Sequence, residues 1–278
     1  MKKWNMIIDV AECTNCQLCT LSAMDEYVDN DWPGYTKPMP KHGHNWINIL
    51  QKERGQVPFI DMAFVPTMCN HCDDAPCIKA GDGAISKRDD GIVLIDPVKA
   101  KGRNDLVEAC PYGHIWWNAE HEVPQAWPFD AHLLDQGWQQ TRGQQSCPTG
   151  AMRAVKLEDA EMAAMVAADK LEVIRPELKT NPRVWYKNLW RYSTAFIGGS
   201  VSAEAGDKID CVEGARVTLS KDGAQVAESV TDNYGDFKFD RLEEDSGAYA
   251  VAITADGHAA KTIPAELGAS LYLGEIRL

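Results

Sequence analysis

No stretch of this sequence approaches the roughly 20 consecutive apolar residues that span a bilayer. The start, Met1-Lys2-Lys3-Trp4-Asn5-Met6-Ile7-Ile8-Asp9, is charged but lacks the apolar stretch and cleavage site of a signal peptide. Basic residues are also scarce: 28 Lys and Arg stand against 41 Asp and Glu, for a net charge of −13. Such a surface repels phosphate backbones, which sets nucleic acid aside as a partner. The expectation is a cytoplasmic protein without a membrane span, unless a signal-bearing partner carries it elsewhere. With 278 residues, 45% of them hydrophobic, the chain can bury one large core or two ordinary ones.

Cysteine is plentiful, but each cysteine cluster lacks its last member. Nine is an odd count, and tightly spaced cysteines in a reducing compartment signal metal or redox chemistry rather than disulfides. The first run, Cys13-Thr14-Asn15-Cys16-Gln17-Leu18-Cys19, has the spacing with which a bacterial ferredoxin wraps an iron–sulfur cubane. The fourth ferredoxin position holds Ala23. The second run, Cys69-Asn70-His71-Cys72-Asp73-Asp74-Ala75-Pro76-Cys77, likewise meets Gly81 instead of a fourth thiol.

Two further cysteines stand alone, each before a proline: Cys110-Pro111 and Cys147-Pro148. Cys-Pro is how the fourth member of a ferredoxin run ends, and that member ligates the other cluster of a pair. Three plus one, twice over, makes eight ligands and two [4Fe–4S] clusters. Structural zinc is the competing reading, since thiolates also bind Zn²⁺. Zinc ribbons, however, need neither the third close cysteine nor the Cys-Pro ends. Cys211, the ninth, reads as a half-buried free thiol.

An internal repeat supports this sum: Ile8-Asp9-Val10-Ala11-Glu12-Cys13 aligns with Ile95-Asp96-Pro97-Val98-Lys99-Ala100. In the same register Cys16 faces Arg103, Cys19 faces Leu106, and Ala23 faces Cys110. One copy keeps its first three cysteines where the other keeps only its fourth.

The segment Cys69 to Cys77, with Gly91-Ile92-Val93-Leu94-Ile95-Asp96-Pro97, Cys110-Pro111-Tyr112-Gly113 and Cys147-Pro148-Thr149-Gly150-Ala151, resembles the four-cluster ferredoxin subunits of the dimethyl-sulfoxide-reductase family. Matches at Glu26, Trp32-Pro33-Gly34-Tyr35, Ala131-His132-Leu133-Leu134-Asp135, Pro182-Arg183-Val184 and Tyr186-Lys187-Asn188-Leu189 extend the likeness over nearly the whole chain, toward the transhydroxylase-type small subunits of that family. The resemblance implies that Cys13, Cys16, Cys19 and Cys147 hold the cluster nearest a catalytic subunit. Cys69, Cys72, Cys77 and Cys110 would hold the second. It further implies the iron–sulfur subunit of a molybdenum (bis-molybdopterin guanine dinucleotide) hydroxytransferase converting pyrogallol to phloroglucinol, docked on a large molybdopterin subunit as a heterodimer. The molybdenum bis-pterin cofactor and the active site would lie in that partner, leaving no catalytic residue here. The alternative is the electron-transfer subunit of a related molybdenum aromatic hydroxylase, reductase or catechol dehydroxylase. A scaffold with purely structural clusters is a third reading.

The sequence departs from its family at one place. Transhydroxylase-type subunits carry a third cluster, whose ligand positions here read Ala23, Trp127, Asp130 and Gly143. Only Asp130 could replace a thiolate, and weakly, so two clusters are expected. An electron crossing the resulting gap faces a long tunnelling step, whereas transhydroxylation needs no net electron flow.

The fold expected is α+β: a tandem bacterial-ferredoxin-like domain over residues 1–197, then a small antiparallel β-sandwich or barrel, transthyretin-like, over 198–278. Residues 31–66 form an insertion that reads as a long loop over a partner or cluster, or as a packed surface flap. Glu158 to Lys170 is helical, capped by Asp159, with Met162 and Met165 as core contacts. The aromatic and basic segment from Pro182 to Phe196 reads either as a docking surface or as a linker packed inside the chain. In the tail, alternating runs at Ala215–Leu219, Asp236–Phe239 and Tyr249–Ile253, with turns at Asp222-Gly223 and Asn233-Tyr234-Gly235, predict about seven short strands. His71, inside a cysteine loop, could donate a hydrogen bond toward cluster sulfur. The other six histidines lack metal-ligand spacing.

Overall fold

Residues 1–51 and 64–189 cluster as one unit, and residues 52–63 and 190–278 as a second, in the computed structural model, which describes all of residues 1–278. The first unit opens with β1 (Lys3–Asp9), whose residues Trp4 to Ile8 are all buried. A run buried on both faces must be covered on both sides, and β1 lies at the centre of its sheet. The loop that follows carries Cys13 and Cys16 into α1 (Leu18–Tyr27). Next comes a hairpin of β2 (Asn48–Gln56) and β3 (Phe59–Thr67), in place of the expected irregular loop. Alternation of buried Ile49, Ala63 and Val65 with half-buried Asn48, Leu50, Met62 and Phe64 supplies the strand period. The hairpin's far end, residues 52–63, belongs to the second unit.

Helix α2 (Pro76–Gly81) starts on proline, where the missing N–H costs nothing. Two ribbons follow, β4 (Ile85–Lys87) with β5 (Val93–Ile95), and β6 (Trp116–Asn118) with β7 (Val123–Gln125). Short helices α3 (Ala131–Asp135) and α4 (Arg142–Ser146) lead to β8 (Met152–Leu157), α5 (Asp159–Asp169) and β9 (Val184–Lys187). Strand order is β8-β1-β9, with β8 antiparallel and β9 parallel to β1.

The repeat read from sequence has a physical counterpart. After β1 the Asp9 carboxylate accepts the Ala11 N–H at 3.0 Å, and after β5 the Asp96 carboxylate accepts the Val98 N–H at 2.9 Å. Both strands thus leave into the same aspartate-stabilised turn.

Helix α5 is capped one residue earlier than expected. Glu158, not Asp159, is the N-cap, and it shares a reciprocal capping box with Glu161. Met162 is buried against Ile7 and Leu171, as a core methionine should be. The segment from Pro182 packs partly into the first unit: Arg183, Val184 and Tyr186 are buried, whereas Trp185 is half-buried and Lys187 exposed. Tyr186 donates its hydroxyl to the Pro66 carbonyl at 3.1 Å.

The second unit begins at α6 (Trp190–Ser193) and continues through β10 (Ala195–Ala205), β11 (Lys208–Cys211), β12 (Arg216–Lys221), β13 (Ala224–Val230), β14 (Asp236–Leu242), β15 (Gly247–Thr254), β16 (Lys261–Leu267) and β17 (Leu271–Arg277). One sheet runs β11-β10-β14 with β17 on the other edge of β10, and the second runs β13-β12-β15-β16. A single core joins them: Ile197, Val201, Phe237 and Phe239 from the first sheet meet Val217, Leu219, Val251 and Ile253 from the second. This is a sandwich, but not a wholly antiparallel one, since β17 runs parallel to β10. The division falls between Leu189 and Trp190 rather than at 197/198, which would cut through β10.

Inside the second unit, Arg54 is only 1% exposed. It pairs with Asp61 at 2.8 Å and Asp240 at 2.7 Å, and Asp61 also receives Arg191 at 2.7 Å and Lys238 at 3.3 Å. The Arg241 guanidinium lies 4.8 Å from the Trp190 ring centre, so that aromatic is engaged within its own unit.

Candidate metal centres

Cys13 and Cys16 from the first loop, Cys19 from the first turn of α1, and Cys147 just past α4 surround one cavity, with Ile49, Pro66 and Met152 as apolar wall. Cys69, Cys72, Cys77 and Cys110 surround a second, walled by Ile85, Val93, Ile95 and Ile115. These are the two groups of four that the resemblance implied. Cys211 lies apart and exposed at the end of β11, rather than half-buried.

Local backbone shape explains how three thiols of a run converge. Asn15 (φ 57°), Gln17 (φ 63°) and His71 (φ 45°) are left-handed, which turns successive N–H groups toward the inside of each loop. Backbone N–H groups of Asn15, Thr20, His71 and Ile78 reach the thiols of Cys13, Cys19, Cys69 and Cys77. The His114 N–H donates to Cys110 Sγ at 3.4 Å.

Such surroundings disfavour free thiolates. Burial, aided by repulsion from neighbouring thiols, pushes Cys19 and Cys77 up to about 11 and raises Cys13, Cys69 and Cys72. At Cys147 burial also raises the pKa, but the Thr149 hydroxyl and the N–H groups of Met152, Thr149 and Ala151 outweigh it and lower the value. Buried thiols packed against one another are stable as ligands only when a cationic core neutralises them.

The geometry favours a multi-atom core over one ion. Nowhere do three His, Cys, Asp or Glu side chains gather closely enough to hold a single metal ion. Each of the two cavities is instead bordered by four thiols.

Residues that sequence reasoning missed brace the second loop. The Lys87 ammonium donates to the carbonyls of His71 (2.7 Å) and Cys72 (2.8 Å) and pairs with Asp73 at 2.7 Å. Arg183 grips Asp73 with two parallel bonds of 2.7 and 2.6 Å. The Thr180 hydroxyl reaches the Cys72 thiol and lies 2.7 Å from the Tyr112 hydroxyl. No spacing pattern flags these residues, because Thr180 and Arg183 lie over a hundred positions from the loop they hold.

Of the histidines, only His71 lines a cysteine cavity. His132 Nε2 lies 2.8 Å from a Glu26 carboxylate oxygen, and His44 contacts the Trp117 carbonyl at 3.0 Å. The four positions expected to lack a third cluster are packed. Asp130 is buried and accepts the Tyr27 hydroxyl (2.6 Å), the Trp127 indole N–H (2.9 Å) and the Arg142 N–H (2.7 Å). Burial raises its pKa against these three donors. Ala23 is buried on α1, and a Cβ on Gly143 would meet Cys19 Cβ at 3.5 Å.

Residues 60–157 match the family model of the 4Fe–4S dicluster domain. Over 281 aligned residues, covering all of both chains, the sequence is 43% identical to the pyrogallol hydroxytransferase small subunit of Pelobacter acidigallici. The chain belongs to that family. As a member of the pyrogallol hydroxytransferase small-subunit family it is also similar to a tetrathionate reductase subunit from Salmonella typhimurium, 30% identical over 67% of this chain and 73% of that protein. The arsenate respiratory reductase iron–sulfur subunit of Shewanella sp. is 32% identical over 48% of this chain and 52% of its own. A pyrogallol hydroxytransferase-type small subunit with a 4Fe–4S dicluster domain is an iron–sulfur protein, and the zinc reading falls away.

Proposed function

We propose that this chain is the iron–sulfur subunit of a molybdenum (bis-molybdopterin guanine dinucleotide) hydroxytransferase that converts pyrogallol to phloroglucinol. The observation that carries the reading is 43% identity across the full length of both chains with a pyrogallol hydroxytransferase small subunit. Cys13, Cys16, Cys19 and Cys147 hold one [4Fe–4S] cluster, and Cys69, Cys72, Cys77 and Cys110 hold the other. Such clusters supply one-electron redox chemistry when bound. What this chain contributes is thiolate geometry, inward N–H groups and exclusion of water. Two clusters rather than three is supported by the packing of Trp127 around the buried Asp130. The active site belongs to a large molybdopterin subunit with which this chain forms a heterodimer, so no residue here is catalytic. The β-sandwich that follows the ferredoxin-like domain, read as a transthyretin-like module, serves to stabilise that complex. A reducing cytoplasm is part of the reading, since tightly spaced cysteine runs signal metal or redox chemistry there rather than disulfides.

A second reading, electron transfer for a related molybdenum reductase or dehydroxylase, is favoured by the similarity to tetrathionate and arsenate reductase subunits. The test is to produce the chain anaerobically with its large subunit and measure iron, molybdenum, pterin and turnover. About eight irons per small subunit, together with pyrogallol conversion that needs no external electron acceptor, is the expected result. Turnover that depends stoichiometrically on an added one-electron donor or acceptor would give the second reading precedence.

A further inference from the structure

His71 sits between Cys69 and Cys72, is 1% exposed, and forms part of the wall of the second cavity. Its backbone is held in the left-handed region, unusual for a residue with a Cβ. Lys87 secures that conformation by donating to its carbonyl oxygen at 2.7 Å. The ring is held as firmly as the backbone. The Val93 N–H donates to Nδ1 at 3.0 Å, while the Phe129 and Trp127 rings pack edge-on at 5.2 and 5.8 Å between centres.

This arrangement decides the tautomer. Val93 N–H can only donate, so Nδ1 is an acceptor and the ring hydrogen is on Nε2. Nε2 is buried and has no partner in the protein. Buried donors are rarely left without an acceptor, and here the ring borders a cavity lined by four thiols, with Cys69 Sγ 4.0 Å from Nδ1.

We propose that His71 is a positioning donor whose Nε2–H hydrogen-bonds to a sulfur of the cluster held by Cys69, Cys72, Cys77 and Cys110, raising the reduction potential of that centre. The proposal rests on the ligand assignment above. Reduction adds negative charge that spreads over the sulfurs, so a fixed donor stabilises the reduced cluster more than the oxidised one. The first cavity has no imidazole in its wall, which makes the other cluster an internal reference.

The test uses the intact complex, reduced stepwise and followed by low-temperature electron paramagnetic resonance. His71→Asn tolerates the left-handed backbone and can still offer an amide oxygen to Val93, but it has no atom at the Nε2 position. His71→Gln places an amide N–H near Nε2. At a fixed ambient potential the Asn variant should show a reduced-to-oxidised ratio about tenfold lower at one cluster only, which is about 59 mV for a one-electron couple. The Gln variant should recover part of that shift. In unsubstituted protein labelled with ¹⁵N-histidine, the same reduced cluster should show a ¹⁵N hyperfine coupling and an exchangeable proton. Iron analysis separates the two ways of failing. Zinc, or no iron, in the anaerobic protein would remove the ligand assignment. Eight irons with unshifted potentials and no ¹⁵N coupling would overturn the histidine's role and leave that assignment standing. Should the variants not fold, the labelled protein alone decides.

Discussion

Replacing Lys87 by methionine keeps an unbranched apolar stem but deletes the ammonium group that fixes the second cysteine loop. All three of its donors are engaged, on the His71 carbonyl at 2.7 Å, the Cys72 carbonyl at 2.8 Å and the Asp73 carboxylate at 2.7 Å. Asp73 retains its two bonds to Arg183, so that share of the loss is small, about 0–1 kcal/mol. The two carbonyls have no replacement donor, and a hydrogen bond to a charged group contributes about 1.5–3 kcal/mol. Burial pulls the Lys87 ammonium below its ordinary pKa, so part of that gain is already spent on desolvation. The net expectation is about 2–4 kcal/mol, felt locally as opening of the loop that presents Cys69, Cys72 and Cys77. At about 1.4 kcal/mol per factor of ten, the open population rises on the order of a hundredfold. The assay is release of iron to a ferrous chelator, anaerobically and under reducing conditions, in the complex. Half the iron should leave on the order of a hundredfold faster, while the other half keeps its wild-type rate. Equal acceleration of both halves, or none, would refute the view that Lys87 clamps one loop.

Cys147→Ala should remove the cluster shared with Cys13, Cys16 and Cys19, lowering iron by about four per chain and abolishing one paramagnetic signal; Cys110→Ala should abolish the other, and double-resonance spectra tell the two apart. Trp127→Ala empties a fully buried indole site and removes one of the three donors to the buried Asp130, so denaturant unfolding should show a loss of about 3–5 kcal/mol. Asp61→Asn leaves Arg54 half-paired and should cost about 2–4 kcal/mol at neutral pH in thermal or denaturant melts. Burial would raise the Asp61 carboxyl, but Lys238 and Arg191 outweigh it and hold it below the ordinary range. A depressed carboxyl stabilises above its unfolded value and loses that contribution as pH falls through the folded one, so the gap between wild type and variant should close below about pH 4.

Much of the candidate site was legible because cysteine spacing is a local property. The runs at Cys13–Cys19 and Cys69–Cys77, and the two Cys-Pro singles, specify the number and type of candidate ligands without any fold. The β-sandwich strands were legible for the same reason, with alternation at β12, β14 and β15 reporting which face is buried. Less legible was the hairpin of β2 and β3, masked by the Pro, Gly and His around it in residues 31–46 and by a turn at Val57-Pro58. The aromatic segment after Pro182 left two readings open because its composition suits an interface as well as a core. Burial of Tyr186, and its bond to the Pro66 carbonyl, show that part of it is core.

The sequence alone determined that eight thiols come as two sets of three and two singles, that the surface is acidic, and that a β-rich tail follows a cysteine-rich head. Only tertiary structure brings Cys147 to the cavity of the first run and Cys110 to that of the second, because that depends on strands and helices bringing together positions far apart in the chain. It also decided the roles of Lys87, Thr180 and Arg183, and the hydrogen position on His71. Each of these is fixed by a partner whose identity no local pattern announces: a backbone carbonyl, a thiol or a single N–H that folding places within about 3 Å.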